Sequence, residues 1–194
     1  MVMGWIAIII GYFLGAIPTA YIAGHLIRNI DIRQMSDGNI GAANAFRNLG
    51  SRTGVAVFLI DASKGALTIF IARALGVSLE FVLLAGLAAV IGHNWPVFLH
   101  FRGGKGFSTI IGIMAAVVPL AVLILTIPTL AALFIKRNTA AAGIALFIPL
   151  PLICWFLEVP GILIAYSLVL PCLLGFTNLI RRNQPVRVSE AEPD

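Results

Sequence analysis

The distribution of apolar residues divides the chain into long hydrophobic runs separated by short polar segments. The runs cover about Val2–Ile27, Thr53–Ala74, Leu79–Leu99, Phe107–Ile135, Ala140–Leu157 and Gly161–Ile180. A transmembrane helix needs about 20 predominantly apolar residues. The pattern therefore predicts an all-α, polytopic integral membrane protein with short loops.

The fourth run is too long for a single crossing. One helix over Phe107–Ile135 would extend about 43 Å, whereas the hydrocarbon core of a bilayer is about 30 Å thick. Pro119 lies near the middle of the run and can break a helix. We therefore predict two crossings here and about seven transmembrane helices in all.

The basic residues support this count, because Lys and Arg collect in cytoplasmic loops. With two crossings, every basic cluster lies on the same side of the membrane. The clusters are Arg28 to Arg52, Arg102 with Lys105, Lys136 with Arg137, and Arg181 to Arg187. We expect residues 1–182 to form a single transmembrane domain with its N-terminus outside, and residues 183–194 to form a polar, mobile cytoplasmic tail.

The composition excludes an ordinary water-soluble domain and a disordered chain. Of the 194 residues, 60% are hydrophobic and only 11% are charged, whereas a soluble domain carries about 25% charged residues. The net charge of +5 would suggest nucleic acid as a partner of a soluble protein. Here the basic clusters account for it, so we expect a lipid bilayer and no nucleic acid as partner.

The first polar cluster, residues 36–50, contains three glycines, three asparagines and an arginine. Gly and Asn permit the positive φ angles at which successive N–H groups point at an anion. Arg47 can supply a bidentate phosphate contact. The alternative is a polar interfacial loop in which Ser36 or Asp37 caps a helix.

The second polar cluster contains the run Arg102-Gly103-Gly104-Lys105-Gly106. Glycines let the backbone approach a ligand closely, and Lys105 adds a positive charge beside the N–H groups. The run is not a P-loop, because Gly-x4-Gly-Lys-Ser/Thr is absent from it. The alternative is a tight turn whose cations extend to the membrane surface.

Two further pairs of polar residues lie within apolar runs. Asp61 and Lys64, and likewise Asn178 and Arg181, are three residues apart, so each pair shares a helix face. Ionisable residues inside a span are functional candidates by default, although Asp61 and Lys64 can also form an internal ion pair. All four polar features fall at one membrane face in the predicted topology.

The sequence contains no Gly-x-Ser-x-Gly, His-Glu-x2-His or Cys-x2-Cys motif. The residues thus indicate neither a covalent nucleophile nor a metal site, and we expect no cofactor. An enzyme built from them would need a substrate that arrives already activated.

These residues resemble the bacterial acyl-phosphate:glycerol-3-phosphate acyltransferase family, PlsY, over nearly the whole chain. The matching segments are Asp31-Ile32-Arg33, Gly38 to Ala42 with Asn44 and Arg47, Asp61 with Lys64-Gly65, Gly92-His93, Pro96 to Phe98, Phe101, Gly103 to Gly106, and Asn178 with Arg181. The resemblance implies a seven-span enzyme of the bacterial inner membrane. It would transfer an acyl group from acyl phosphate to the 1-hydroxyl of glycerol 3-phosphate, giving lysophosphatidic acid and phosphate.

From these residues and the implied reaction we assign expected roles to individual residues. The expected catalytic residues are Lys105, Arg47, Asp37 and His93. The expected substrate-binding residues are Ser36, Asn39, Asn44, Lys64, Gly103, Gly104, Gly106, Asn178 and Arg181. The group that accepts the proton stays open between Asp37, His93 and a substrate phosphate. It also stays open whether a soluble acyl-phosphate synthase docks on the inner loops.

The chain departs from the family pattern at several positions. Asp37 replaces the usual Ser, Ala43 replaces a Thr, Gly175 and Phe176 replace basic residues, and 183–186 lacks the usual Glu. A carboxylate about 4 Å from a phosphate charge would cost on the order of 4 kcal/mol at an effective dielectric near 20. Asp37 must therefore point away, pair with Arg47 or Lys64, or act on a proton.

Two alternative functions follow. The chain can be a divergent family member with a changed acceptor or no activity, or a transporter of a small phosphorylated anion.

Overall fold

The structure, a computed structural model, describes residues 1–136 and 138–182. These residues form ten α-helices and no β-strand. The helices are α1 (Val2–Ala16), α2 (Thr19–Arg28), α3 (Ala42–Leu49), α4 (Ser51–Ala74), α5 (Leu79–Asn94), α6 (Phe107–Val117), α7 (Pro119–Lys136), α8 (Thr139–Phe147), α9 (Leu150–Phe156) and α10 (Gly161–Arg182). The predicted tail, residues 183–194, lies outside the described residues.

The helices confirm the predicted all-α membrane fold. Six helical segments in the described part of the chain are long and apolar enough to span a membrane, and α1 with α2 and α8 with α9 each form one of them. The seventh segment, α6, is shorter. The run Phe107–Ile135 breaks as predicted, since α6 ends at Val117 and α7 begins at Pro119.

Large apolar side chains cover the outside of the bundle. Leu123, Ile127 and Phe134 of α7 are 67%, 77% and 73% exposed. An apolar surface of this extent is unfavourable in water and favourable against lipid chains.

Small residues allow the closest helix contacts. Helices α1 and α5 run parallel, and Gly11 and Gly15 lie against the backbone of Ala85 and Ala89. Close packing through small residues is a main source of helix association in membranes, where lipid removes the hydrophobic driving force.

One end of the bundle collects the polar segments. The C-terminal end of α5 bonds to α10, because Asn94 Nδ2 donates to Thr177 Oγ1 at 2.9 Å. It also meets α1, since Tyr12 Oη donates to the Trp95 carbonyl at 3.0 Å. The connections at 29–41 and 95–106 lie at the same end, since Lys105 Nζ lies 3.5 Å from Asp37 Oδ2, as the distribution of basic residues predicts.

The contact of Gly15 with α5 leads to a stability prediction. A Cβ atom at Gly15 would overlap the backbone of Ala89, whereas a Cβ at Gly161 has no neighbour within 4 Å. We expect Gly15→Ala to destabilise the protein by about 1–3 kcal/mol, the usual cost of overpacking, and Gly161→Ala to have little effect. Unfolding of the two purified variants in detergent measures their free energies of unfolding. Equal stabilities of the two variants would contradict the packing assignment.

Candidate functional site

A cavity of about 1210 Å³ lies at the polar end of the bundle. Three segments line it: residues 31–40, residues 95–105 and the last turns of α10. Its polar side chains are Asp31, Arg33, Gln34, Asp37, Asn39, Arg102, Lys105, Asn178 and Arg181. Six of the predicted catalytic or substrate-binding residues thus belong to its wall, namely Asp37, Asn39, Gly103, Lys105, Asn178 and Arg181.

Asp37 links two of the predicted catalytic cations. Its Oδ1 atom lies 3.7 Å from Arg47 Nη2, and its Oδ2 atom lies 3.5 Å from Lys105 Nζ. From the sequence, Asp37 is expected to pair with Arg47 or Lys64 if it neither points away nor acts on a proton. In the structure Asp37 pairs with Arg47, and its second partner is Lys105 instead of Lys64. Asp37 and Lys105 line the cavity, whereas Arg47 lies outside its wall and contacts it through Asp37. Arg47 and Lys105 therefore converge on a single carboxylate.

Asn44 lies beneath the loop 36–41 rather than in the cavity wall. Its side chain is fully buried, and Nδ2 lies 2.9–3.1 Å from the carbonyls of Ile32, Met35 and Asn39. Ser36 is also engaged, since its Oγ accepts from Asn48 Nδ2 at 2.9 Å. Asn44 and Ser36 therefore shape the loop, and their contacts with substrate stay predictions.

The glycines before Lys105 fasten the loop to the end of α5. The N–H of Gly103 donates to the Asn94 carbonyl at 3.1 Å, and the N–H of Gly104 donates to the His93 carbonyl at 2.9 Å. A Cβ at Gly104 would overlap the His93 imidazole. These two N–H groups are bonded within the protein, and the role of Gly103 and Gly104 in phosphate binding stays a prediction.

Gly106 allows the turn into α6. Its φ of +89° lies in the region that favours glycine, and a Cβ would lie 2.8 Å from Asn94 Oδ1. The glycine run therefore positions Lys105 through backbone conformation and close packing.

Arg181 holds the same loop from α10. Its guanidinium group donates to the carbonyls of Gly103 and Asn94. A guanidinium has five N–H donors, so Arg181 can bind the backbone and still face the cavity. Asn178, one turn earlier, is exposed at the cavity and donates to the Leu174 carbonyl at 3.1 Å.

A buried ionic network lies below the cavity. Lys64 Nζ lies 2.8 Å from Asp61 Oδ1 and donates to the Ile17 carbonyl at 2.8 Å. Thr19 Oγ1 donates to Asp61 Oδ1 at 2.8 Å, and His93 Nδ1 lies 3.8 Å from the same oxygen. Lys64 and His93 do not line the cavity, and both contact Asp61 within the protein. Their roles toward substrate stay predictions.

Three polar residues of the cavity wall, Arg33, Gln34 and Arg102, are not among the predicted site residues. Arg33 Nη2 lies 2.6 Å from Asp31 Oδ2, and its guanidinium lies 5.0 Å from the centre of the Tyr21 ring. The hydrogen bond from Arg33 holds the pKa of Asp31 below its usual range. One feature of the sequence indicates that Arg33 belongs to the site, because Asp31-Ile32-Arg33 is among the segments that resemble the family.

Thr19 was also missed. It follows Pro18 inside the first apolar run, where nothing in the sequence indicates that its hydroxyl bonds to Asp61.

The fold and the cavity define a polytopic membrane protein with a cationic site at one end. The family model described as glycerol-3-phosphate acyltransferase matches residues 5–184. The chain belongs to the glycerol-3-phosphate acyltransferase family.

The sequences of individual relatives are similar to this one over most of the chain. Glycerol-3-phosphate acyltransferase 4 of Dehalococcoides mccartyi is 44% identical over 174 residues, which cover 90% of this chain and 94% of the relative. Glycerol-3-phosphate acyltransferase 2 of Moorella thermoacetica is 34% identical, with 88% of each chain covered.

The fold also matches a solved structure. The crystal structure of PlsY, an integral membrane glycerol 3-phosphate acyltransferase, in its glycerol 3-phosphate form is similar with a TM-score of 0.81 and 30% identity. The match covers 93% of this chain and 90% of that one. The lysophosphatidic acid form of PlsY is equally similar in fold, at 31% identity.

The ion pair below the cavity leads to a second prediction. Lys64→Met leaves the Asp61 carboxylate buried without its cation, and breaking a buried pair costs about 3–5 kcal/mol. The double variant Asp61→Leu with Lys64→Met removes both charges, and we expect it to recover most of this loss. Unfolding in detergent compares the two variants. If the double variant is no more stable than Lys64→Met, the pair does not act as a structural unit.

Proposed function

We propose that this protein transfers a fatty acyl group from acyl phosphate to the 1-hydroxyl of glycerol 3-phosphate, giving lysophosphatidic acid and inorganic phosphate in phospholipid synthesis. Its family membership supports the acyltransferase class, and the relatives are named for the same acceptor. The observation that carries the proposal is the convergence of Arg47 and Lys105 on one carboxylate, 3.7 and 3.5 Å away. Two cations held around a single oxyanion suit a phosphate group.

The reaction needs little covalent chemistry from the protein. The hydroxyl oxygen attacks the acyl carbonyl, the bond from the carbonyl carbon to the phosphate oxygen breaks, and phosphate leaves with the electron pair. The hydroxyl proton ends on the released phosphate, directly or through Asp37. Holding both substrates in line lowers the barrier, and positioned cations stabilise the charge that develops.

The geometry supports a division of roles between the cavity wall and Arg47, which lies outside the wall next to Asp37. Lys105 and Arg47 bind a phosphate, and Asn178 with the remaining N–H groups of Arg181 faces the acceptor from α10. Asp37 lines the cavity and is the better placed of the two candidate protein bases, because His93 lies in the buried network. The acyl chain lies between helices, against lipid.

The membrane orientation follows the same reasoning. We propose that the polar end of the bundle faces the cytoplasm of a bacterial cell, with the N-terminus outside and the C-terminus inside, because the basic loops belong to that end. A soluble acyl-phosphate synthase would then meet the cavity from the cytoplasm.

The transporter alternative needs polar groups that lead to both ends of the bundle. Among the described residues, the ionisable side chains buried in the bundle include Asp61, Lys64 and His93, which lie beside the cavity. A second, smaller pocket toward the other end is lined by apolar residues with Tyr166 and Glu80. This distribution favours the enzyme.

Replacing Lys105 tests the proposal. Removing one group that stabilises developing charge costs about 10²–10³-fold in rate, so we expect Lys105→Ala to lose activity by this factor. Purified protein is assayed with palmitoyl phosphate and glycerol 3-phosphate by phosphate release and by lysophosphatidic acid formation. The matched control is Lys136→Ala, because Lys136 is an exposed lysine outside the cavity wall. Activity of Lys105→Ala within threefold of the unmodified protein would reject the role of Lys105.

A further inference from the structure

Asp37 places a negative charge where the proposed reaction requires a phosphate. Each of its carboxylate oxygens faces a different cation, Oδ1 toward Arg47 and Oδ2 toward Lys105, at 3.7 and 3.5 Å. The carboxylate bridges the two polar loops of the cavity. A phosphate that binds both cations must come to the same position.

The contacts of Asp37 are of a kind that a ligand can replace. Its side chain is 43% exposed, and those of Arg47 and Lys105 are 56% and 31% exposed. Ion pairs with this exposure contribute little to stability. The pair of Asp61 and Lys64 differs in both respects, since it is almost fully buried and its atoms are 2.8 Å apart.

The backbone around Asp37 presents the side chain at the tip of a tight turn. Gly38 N–H donates to the Met35 carbonyl at 3.0 Å, and Ser36 and Gly38 on either side have φ of +52° and +66°. Asn44 fixes this turn from below through the Met35 and Asn39 carbonyls. The carboxylate adds one long contact, since the N–H of Asn39 donates to Asp37 Oδ1 at 3.5 Å. An Asn side chain at this position can accept the same bond, and the backbone bonds remain the main anchor of the turn.

We propose that Asp37 is an internal competing anion, which occupies the phosphate position between Arg47 and Lys105 and sets the affinity of the site for phosphate. The inference rests on the proposed function and adds a determinant of substrate affinity to it. A phosphate entering the site must displace the carboxylate or bind beside it against its negative charge. In both cases, Asp37 weakens phosphate binding.

Isosteric removal of the charge tests the inference. Inorganic phosphate is titrated by calorimetry into detergent-purified wild type, Asp37→Asn and Asp37→Ser, each checked by size exclusion. We expect phosphate to bind at least tenfold more tightly to the neutral variants. Asp37→Glu keeps the charge and should stay near the wild type.

Glu80→Gln is the matched control for net charge. Glu80 lies in the first turn of α5, and Asn94 at the site lies about 20 Å further along the same helix. Removal of this carboxylate should leave phosphate affinity unchanged. Equal gains in Glu80→Gln and Asp37→Asn would show a general charge effect and overturn the inference.

Steady-state kinetics separates competition from orientation of the cations. If Asp37 is a competing anion, we expect Asp37→Asn to lower KM for a phosphorylated substrate. If Asp37 instead orients Arg47 and Lys105, phosphate affinity falls and KM rises, which overturns the inference. Should the wild type show no turnover while Asp37→Asn binds phosphate more tightly, the proposed reaction fails and the competing-anion assignment stands. If the wild type turns over substrate but Asp37→Asn binds phosphate no more tightly, the proposed reaction stands and the competing-anion assignment fails.

Discussion

The C-terminal end of α5 organises the site, because His93 and Asn94 are buried and buried carbonyls at a helix end must be bonded within the protein. The carbonyls of His93 and Asn94 accept from Gly104 and Gly103, and Arg181 donates to the carbonyl of Asn94. These bonds join α5, the Lys105 loop and α10 at one point. The position of Lys105 therefore follows from the hydrogen bonds that the last carbonyls of α5 require.

The same constraint explains why charge is arranged in two layers. Below the cavity, Asp61 and Lys64 are almost fully buried, and each has partners within the protein. At the cavity, Asp37, Arg47 and Lys105 are partly exposed and more loosely paired. The buried layer supports the bundle, and the exposed layer is available to a phosphorylated ligand.

Sequence patterns predict the membrane fold because lipid imposes length and polarity on every span. The helix break at Pro119 follows from the length of the run together with the proline. The collection of polar segments at one end follows from the basic residues. The individual roles are less accessible, since Asn44 and Gly104 look like anion-binding residues in the sequence but bond or pack within the protein. Such roles depend on which backbone groups the fold brings within reach, as with Thr19 and Asp61.

The central claim is that Arg47 and Lys105 act together on one oxyanion. A double-mutant cycle measures this directly, with kcat/KM determined for Arg47→Ala, Lys105→Ala and the double variant on palmitoyl phosphate and glycerol 3-phosphate. Residues that share a partner show coupling of about 0.5–3 kcal/mol, and the account predicts a value in the upper half of this range. Additive effects of the two substitutions, within about 0.5 kcal/mol, would contradict it.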